Sequence, residues 1–262
     1  MTLKLVAIEA ARTRGGLIAA LLLAAGFVAS PAGADPIILG GSNLLTPADA
    51  SQLEAWLGSP IASLTNVFDH VSGDGKTSAD FHAAADGLGR TFAVYRGRDE
   101  ALSDIPGSYT IFGGYNPQSW RSVGTIENTT VPDAERTAFL FNLLSPLKLN
   151  QKLSGDPGGS HGSHQTTNVL SLGPIFGDGQ DLSTQGDLNF GYVNTSAYGY
   201  DDLNALGTTG QRFTTYSDLE IFTIQDGDPV PEPASLVLVG LGLAAVGAYR
   251  RRKRRTSGPG TA

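Results

Sequence analysis

Histidine and the carboxylates are the residue types here with chemistry to offer, because the 262-residue chain has no cysteine. A thiolate nucleophile, a disulfide framework, an iron–sulfur cluster and a Cys-ligated zinc are all excluded. A general base would come from His70, His82, His161 or His164, and no Gly-x-Ser-x-Gly elbow presents a serine nucleophile to it. His82 falls in a segment with helical spacing, where packing or capping is the first reading and a catalytic base the alternative. Glu220 lies among apolar neighbours in Leu219-Glu220-Ile221-Phe222. A carboxylate so placed is a hydrogen-bonded structural group, a solvent-facing side chain on the alternating face of a strand, or an acid with a shifted pKa.

His161 and His164, in Gly-Gly-Ser-His-Gly-Ser-His, bring two imidazoles to one metal only if their loop folds back, and carboxylates would have to complete the site. Asp178 and Asp181, with Asp69, Asp74 and Asp80 elsewhere, are oxygen ligands of the kind calcium takes, but none has EF-hand spacing. Turn-forming Asp-Gly pairs account for them as well. No cofactor or metal is expected, calcium being the one ion these carboxylates would suit. Gly73-Asp74-Gly75-Lys76-Thr77 is not a phosphate loop, since the glycine required five residues before Gly75 is His70. Gly87-Leu88-Gly89 lacks the third glycine of a dinucleotide turn.

The elements that must position these groups are strands with a few helices. Thr46-Pro47-Ala48-Asp49 supplies a cap, a proline at the first helical position and an acid in the first turn. Leu53, Trp56 and Leu57 follow with amphipathic spacing, and Gly58-Ser59-Pro60 stops the helix. Ser78 is the expected cap of a second short helix that turns Phe81, Ala84 and Ala85 toward the core. Strands are expected at 91–95, 109–112, 138–141, 168–172, 189–193 and 219–224, all rich in aromatic or β-branched residues and separated by turn formers. Residues 155–163 read as a flexible loop. With 34 glycines and only 16% charged residues, the composition argues against a helical bundle. The fold class is mainly β with peripheral helices, an antiparallel two-sheet sandwich.

Both ends have a different character. Lys4, Arg12 and Arg14 precede an apolar run at 17–28 that leads into Ala32-Gly33-Ala34, the order of a secretory signal peptide cleaved by signal peptidase before Asp35. At the other end, the uncharged stretch 234–249 would form a transmembrane helix of about 24 Å. Arg250-Arg251-Arg252-Lys253-Arg254-Arg255 follow as a cytoplasmic stop-transfer tail, residues 250–262. Pro231, Glu232 and Pro233 stand just before the helix, in a linker over 226–233 that the prolines hold extended. Pro-Glu-Pro, a short apolar helix and an Arg-rich tail together resemble the PEP-CTERM sorting signal. The resemblance implies a Gram-negative bacterium, an inner-membrane intermediate and an exosortase that removes the tail on the way to the cell surface or extracellular matrix. A permanent one-helix anchor is the alternative.

The formal charge of −7 conceals a segregation. The two ends hold nine of the 18 cations and one of the 25 anions, which leaves residues 35–233 with nine cations against 24 anions, a net of −15. So acidic a domain excludes nucleic acid as a partner and favours basic surfaces or divalent cations.

Within 35–225, six stretches occur in a familiar order. They are Asp74-Gly75-Lys76-Thr77-Ser78-Ala79-Asp80-Phe81-His82, Thr91-Phe92-Ala93-Val94, Phe112-Gly113-Gly114-Tyr115 with Trp120, Ala138-Phe139-Leu140-Phe141, Gly173-Pro174-Ile175-Phe176-Gly177 with Asp181, and Leu219-Glu220-Ile221-Phe222. In this order they resemble the TLDc domain. The resemblance implies a two-sheet sandwich flanked by short helices, a link to oxidative-stress resistance and no established catalytic mechanism. The connection 96–108 is longer than the family's, and an exported domain has no access to the cytosolic pump partner of eukaryotic members. By their residue types, Gly113 and Gly114 suit a bulge or a close backbone crossing, and Trp120 and Phe139 suit core positions. The function expected is a non-catalytic interaction module with an unidentified envelope or matrix partner. A hydrolase or peroxide-handling enzyme using Glu220 or His82, and a calcium-dependent adhesive module, are the alternatives.

Overall fold

Thr46 opens the first helix, α1 (Pro47–Leu57), through a reciprocal capping box. Its hydroxyl accepts the Asp49 N–H at 3.3 Å, and the Asp49 carboxylate takes the Thr46 N–H and hydroxyl at 2.9 and 2.7 Å. Gly58 ends the helix in the left-handed region at φ 76°, as its sequence position anticipates. The second helix, α2 (Ser78–Ala85), starts one residue earlier than expected. Thr77 is its cap, donating its N–H and hydroxyl to the Asp80 carboxylate, while Ser78 is the buried first residue.

The computed structural model describes residues 35–99, 108–178, 181–194, 196–199 and 212–228. The expected signal peptide with Ala32 and Ala34, the Pro231-Glu232-Pro233 motif, the apolar segment 234–249 and the tail with Arg250, Arg251 and Arg252 lie outside them. No helix among the described residues is long and apolar enough to cross a membrane. Ala34–Pro229 form one compact unit.

The strands in chain order are β1 (Ile37–Leu39), β2 (Ile61–Val71), β3 (Thr91–Asp99), β4 (Thr110–Asn116), β5 (Glu127–Thr130) and β6 (Phe139–Asn142). They continue with β7 (Leu147–Asn150), β8 (His164–Asn168), β9 (Ile175–Phe176), β10 (Leu182–Thr184), β11 (Phe190–Val193) and β12 (Arg212–Asp226). Hydrogen bonding links them in the order β5-β8-β9-β10-β11-β12-β3-β4-β6-β7, with β2 on β12 and β1 on β2. Every pairing is antiparallel except β1 with β2. The long strand β12 is the hub. Thr214–Thr223 pair with β3 along one edge, while β11 and β2 share the other.

Alternation along β3 and β12 divides the core in two. Ala93, Tyr95, Leu219 and Ile221 face one cluster, which also holds Phe176, Leu182 and Val193 from the β9–β11 layer. The two layers are joined by polar contacts inside that cluster: the Tyr95 hydroxyl meets Thr184 Oγ1 at 2.8 Å and the Tyr216 hydroxyl donates to the Ser183 carbonyl at 2.7 Å. Phe92, Val94 and Phe222 face the other cluster, closed by Ala50 and Leu53 of α1. Each buried Phe contributes about 1.5–3 kcal/mol by leaving water. This is an antiparallel, mainly β architecture with two covering helices, consistent with a sandwich.

The structure departs from the sequence expectation in several strands: the short β1, β5, β7, β9 and β10 were not anticipated, and two longer strands differ as well. β2, Ile61–Val71, was not anticipated. The strand expected at 168–172 is instead β8 at His164–Asn168, and Val169 to Leu172 form the turn that follows. The stretch read as a loop at 155–163 contains a short 3-10 turn, His161–Ser163.

Candidate functional site

An open cleft of about 290 Å³ lies where β5, β8 and β9 meet, with apolar walls of Ile126, Leu172 and Ile175 and polar groups from Asn128, Thr167 and Asp178. Thr167 Oγ1 donates to Asn128 Oδ1 at 2.8 Å across the β5–β8 pair. Asp178 follows Gly177, whose φ of +82° turns the chain after β9. The Asp178 carboxylate then meets two histidines at the start of β8. Its Oδ2 is 2.7 Å from His161 Nδ1 and 3.4 Å from His164 Nδ1, with His161 half-exposed. The loop therefore folds back far enough to bring both imidazoles to one carboxylate, that of Asp178. Among the described residues, however, no group of three or more such side chains is arranged to hold a metal ion. What the geometry offers is a carboxylate-oriented imidazole beside a mostly apolar cleft. Sequence reasoning named all three residues without joining them, since a 17-residue separation carries no periodic signal.

The other candidates sit elsewhere. Glu220 is 2% exposed on β12, and both its oxygens are occupied. Oε2 accepts the Ser42 hydroxyl at 2.5 Å and Oε1 the Asn43 N–H at 2.7 Å. Ser42 Oγ in turn accepts the N–H groups of Leu44 and Leu45, and Arg96 donates to the Asn43 carbonyl while pairing with Asp218. Glu220 thus clamps the chain between β1 and α1 over the second core cluster. The hydrogen-bonded structural reading describes it, and the solvent-facing one does not.

His82 is also buried. Its Nδ1 lies 2.8 Å from Asp86 Oδ1, and its Nε2 faces the carbonyls of Val169 and Leu172 at 3.0 and 3.2 Å. Both ring nitrogens meet acceptors, so the imidazole bridges α2 to the turn after β8 as a donor. Asp86 is held further by the Ser122 hydroxyl. Neither His82 nor Glu220 opens to the cleft lined by Asp178.

Asp181 and Asp178, considered together as oxygen ligands, face different partners. Asp181 is fully buried and accepts three backbone N–H groups, from Ser196 at 2.5 Å, Ala197 at 2.6 Å and Tyr198 at 2.9 Å. Burial pushes its carboxyl up to about 6, against those three donors and the nearby Lys152 charge, which pull it down. It is a loop clamp: Tyr198, the last residue it holds, reaches the Gln165 carbonyl with its hydroxyl.

The glycines and aromatics of those six stretches have packing reasons. A Cβ on Gly113 would come within 2.1 Å of the Ala93 carbonyl, and one on Gly114 within 2.6 Å of the Phe176 ring. β4 pairs on both sides without a register shift, so close crossing, not a bulge, is the cause. Gly173 is closed in by Leu188 and Thr184 in the same way, and Gly177 by Asp181. Trp120 donates to Thr91 Oγ1 at 2.9 Å and meets Phe81 and Phe176 edge-on, while Tyr115 and Phe139 pack together at 5.1 Å.

Residues 229–254 match the PEP-CTERM protein-sorting motif. No curated protein matches the chain. The motif marks an exported protein that reaches the cell surface through a membrane-anchored intermediate, with exosortase, a membrane enzyme, as its processing partner.

Proposed function

We infer that the chain delivers a TLDc-like β-sandwich, residues 35–225, to the surface of a Gram-negative cell, where it works as a non-catalytic interaction module of the envelope or matrix. In this reading a signal peptide is removed after Ala34, the helix at 234–249 holds the intermediate, and exosortase removes the tail near Pro-Glu-Pro. The observation that carries the non-catalytic part is the use made of Glu220 and His82. Both are buried, and each forms hydrogen bonds that hold a loop in place. The ordered series of TLDc-like stretches supports the family reading, and with it a role in oxidative-stress protection outside the cytosol. A net charge of −15 over 35–233 suits a basic partner surface, or one bridged by divalent cations such as calcium.

Purified 35–233 tests this directly. It should turn over no sugar, ester or peroxide, and should bind isolated envelope material in a manner that weakens with salt. Turnover abolished by one point substitution would refute the reading. The cleft favours a second reading, a hydrolase in which Asp178 orients His161 as general base. That reading requires His161→Ala to remove an activity that Glu220→Gln leaves in place.

A further inference from the structure

β1 and β12 lie on opposite edges of β2 and meet it in overlapping register. Ser63 faces Ile37 on one side and Gln225 on the other, and Ile61 faces Asp226. Because β1 runs parallel to β2 and β12 antiparallel, the chain enters the domain and leaves it at the same end of the sheet, beside Pro60. Two strand spacings separate the entering and leaving segments by about 10 Å. The departing segment is held firmly. Gly227 donates its N–H to the Pro60 carbonyl at 2.9 Å, Asp226 is ion-paired with Arg90, and a Cβ on Gly227 would come within 3.1 Å of Pro60.

Pro231 follows Gly227 by four residues. Even fully extended, that chain reaches only about 14 Å. A membrane enzyme that cuts near Pro-Glu-Pro therefore has to approach until it abuts the folded sheet. We propose that the Pro60 end of the sheet, with Ile37, Ala62 and Asp226, is the face the domain presents to exosortase. The proposal rests on the sorting motif at 229–254 and adds to it a docking surface on the folded domain. Ile37 is 62% exposed on the short edge strand; Asp35, exposed two residues before it, accepts the Ser51 hydroxyl, and Asp226, exposed two strands away, is paired with Arg90. Such a surface fits a partner face that combines apolar and basic side chains. The turn between β6 and β7, which carries Ser145, lies at the opposite end of the sheet, because Phe139 pairs toward the Pro60 end and Asn142 away from it.

The absence of cysteine makes the test simple, since any introduced thiol is unique. Full-length Ala62→Cys and Ser145→Cys chains, each coupled to a polymeric maleimide and shown to melt like the unlabelled chain, are incubated with membrane vesicles containing an exosortase, and tail removal is followed by mass spectrometry. The label at position 62 should slow cleavage about tenfold or more, as expected when a reacting group is held out of place, and the label at 145 should leave the rate within about twofold. An insertion of about ten Gly/Ser residues after Asp228 should restore cleavage of the chain labelled at 62 by lengthening the reach. Equal rates for the two labels, or no rescue by the insertion, would overturn the docking face. If the vesicles leave the unlabelled chain intact, the sorting reading fails, and the docking face with it.

Discussion

Asp181 offers a quantitative test of how the fold holds its loops, because two opposed effects act on one carboxyl. Burial raises it, and three backbone N–H groups with the Lys152 charge lower it; the balance stands at about 6 against an ordinary 3.8. The folded state therefore binds this proton more tightly than the unfolded chain. The stabilisation is complete below about pH 3.8 and disappears as pH rises through about 6. A shift of about two units corresponds to about 3 kcal/mol. Asp181→Asn is nearly isosteric and cannot ionise. It keeps one acceptor for the Ala197 and Tyr198 N–H groups but turns an amide donor toward the Ser196 N–H, which lowers its stability by an amount that does not vary with pH. Urea unfolding of both domains at a series of pH values isolates the group, since other titrations cancel in the difference. Relative to their difference at pH 4, the wild type should lose about 3 kcal/mol against the variant by pH 7.5. If the three donors dominate instead, the carboxylate is favoured in the folded state and the wild type gains on the variant as pH rises from 4 to 7.5. That sign would refute the reasoning.

Other positions give simpler expectations. Glu220→Gln places an amide donor against either the Ser42 hydroxyl or the Asn43 N–H and should lower stability by about 2 kcal/mol, read from chemical denaturation. Gly114→Ala forces a methyl to within 2.6 Å of the Phe176 ring and should cost about 3 kcal/mol, whereas Gly124→Ala, where a Cβ meets nothing within 4 Å, should stay within about 0.5 kcal/mol.

The helices were legible because their signals are local: Thr46, Pro47, Asp49 and Gly58 act within one turn of α1. Strands β3, β4, β6 and β11, and the part of β12 at 219–224, were legible from apolar and aromatic runs. β8 was not, because His-Gln-Thr-Thr-Asn is a buried polar strand, which hydropathy reads as loop. It is tolerated because Gln165 pairs with Gln151, Thr167 with Asn128 and Asn168 with Thr129. The apolar residues after it attracted the strand assignment, yet Leu170 is 45% exposed in a turn. β2 escaped because Thr65, Asn66 and Asp69 interrupt its alternation, and its register comes from β12 and β1. The candidate site was legible only in its parts. That Asp181 would turn to backbone N–H groups 15 to 17 residues away, and Asp178 to His161, depends on how β8, β9 and β10 stack, which no local pattern encodes.

The measurement closest to the central claim is the intact mass of the protein recovered from the cell surface or medium. A species that begins at Asp35 and ends near Pro-Glu-Pro, without the Arg-rich tail, is the result expected of an exported domain released by exosortase. Surface protein that still carries Arg250 to Arg255 would contradict it.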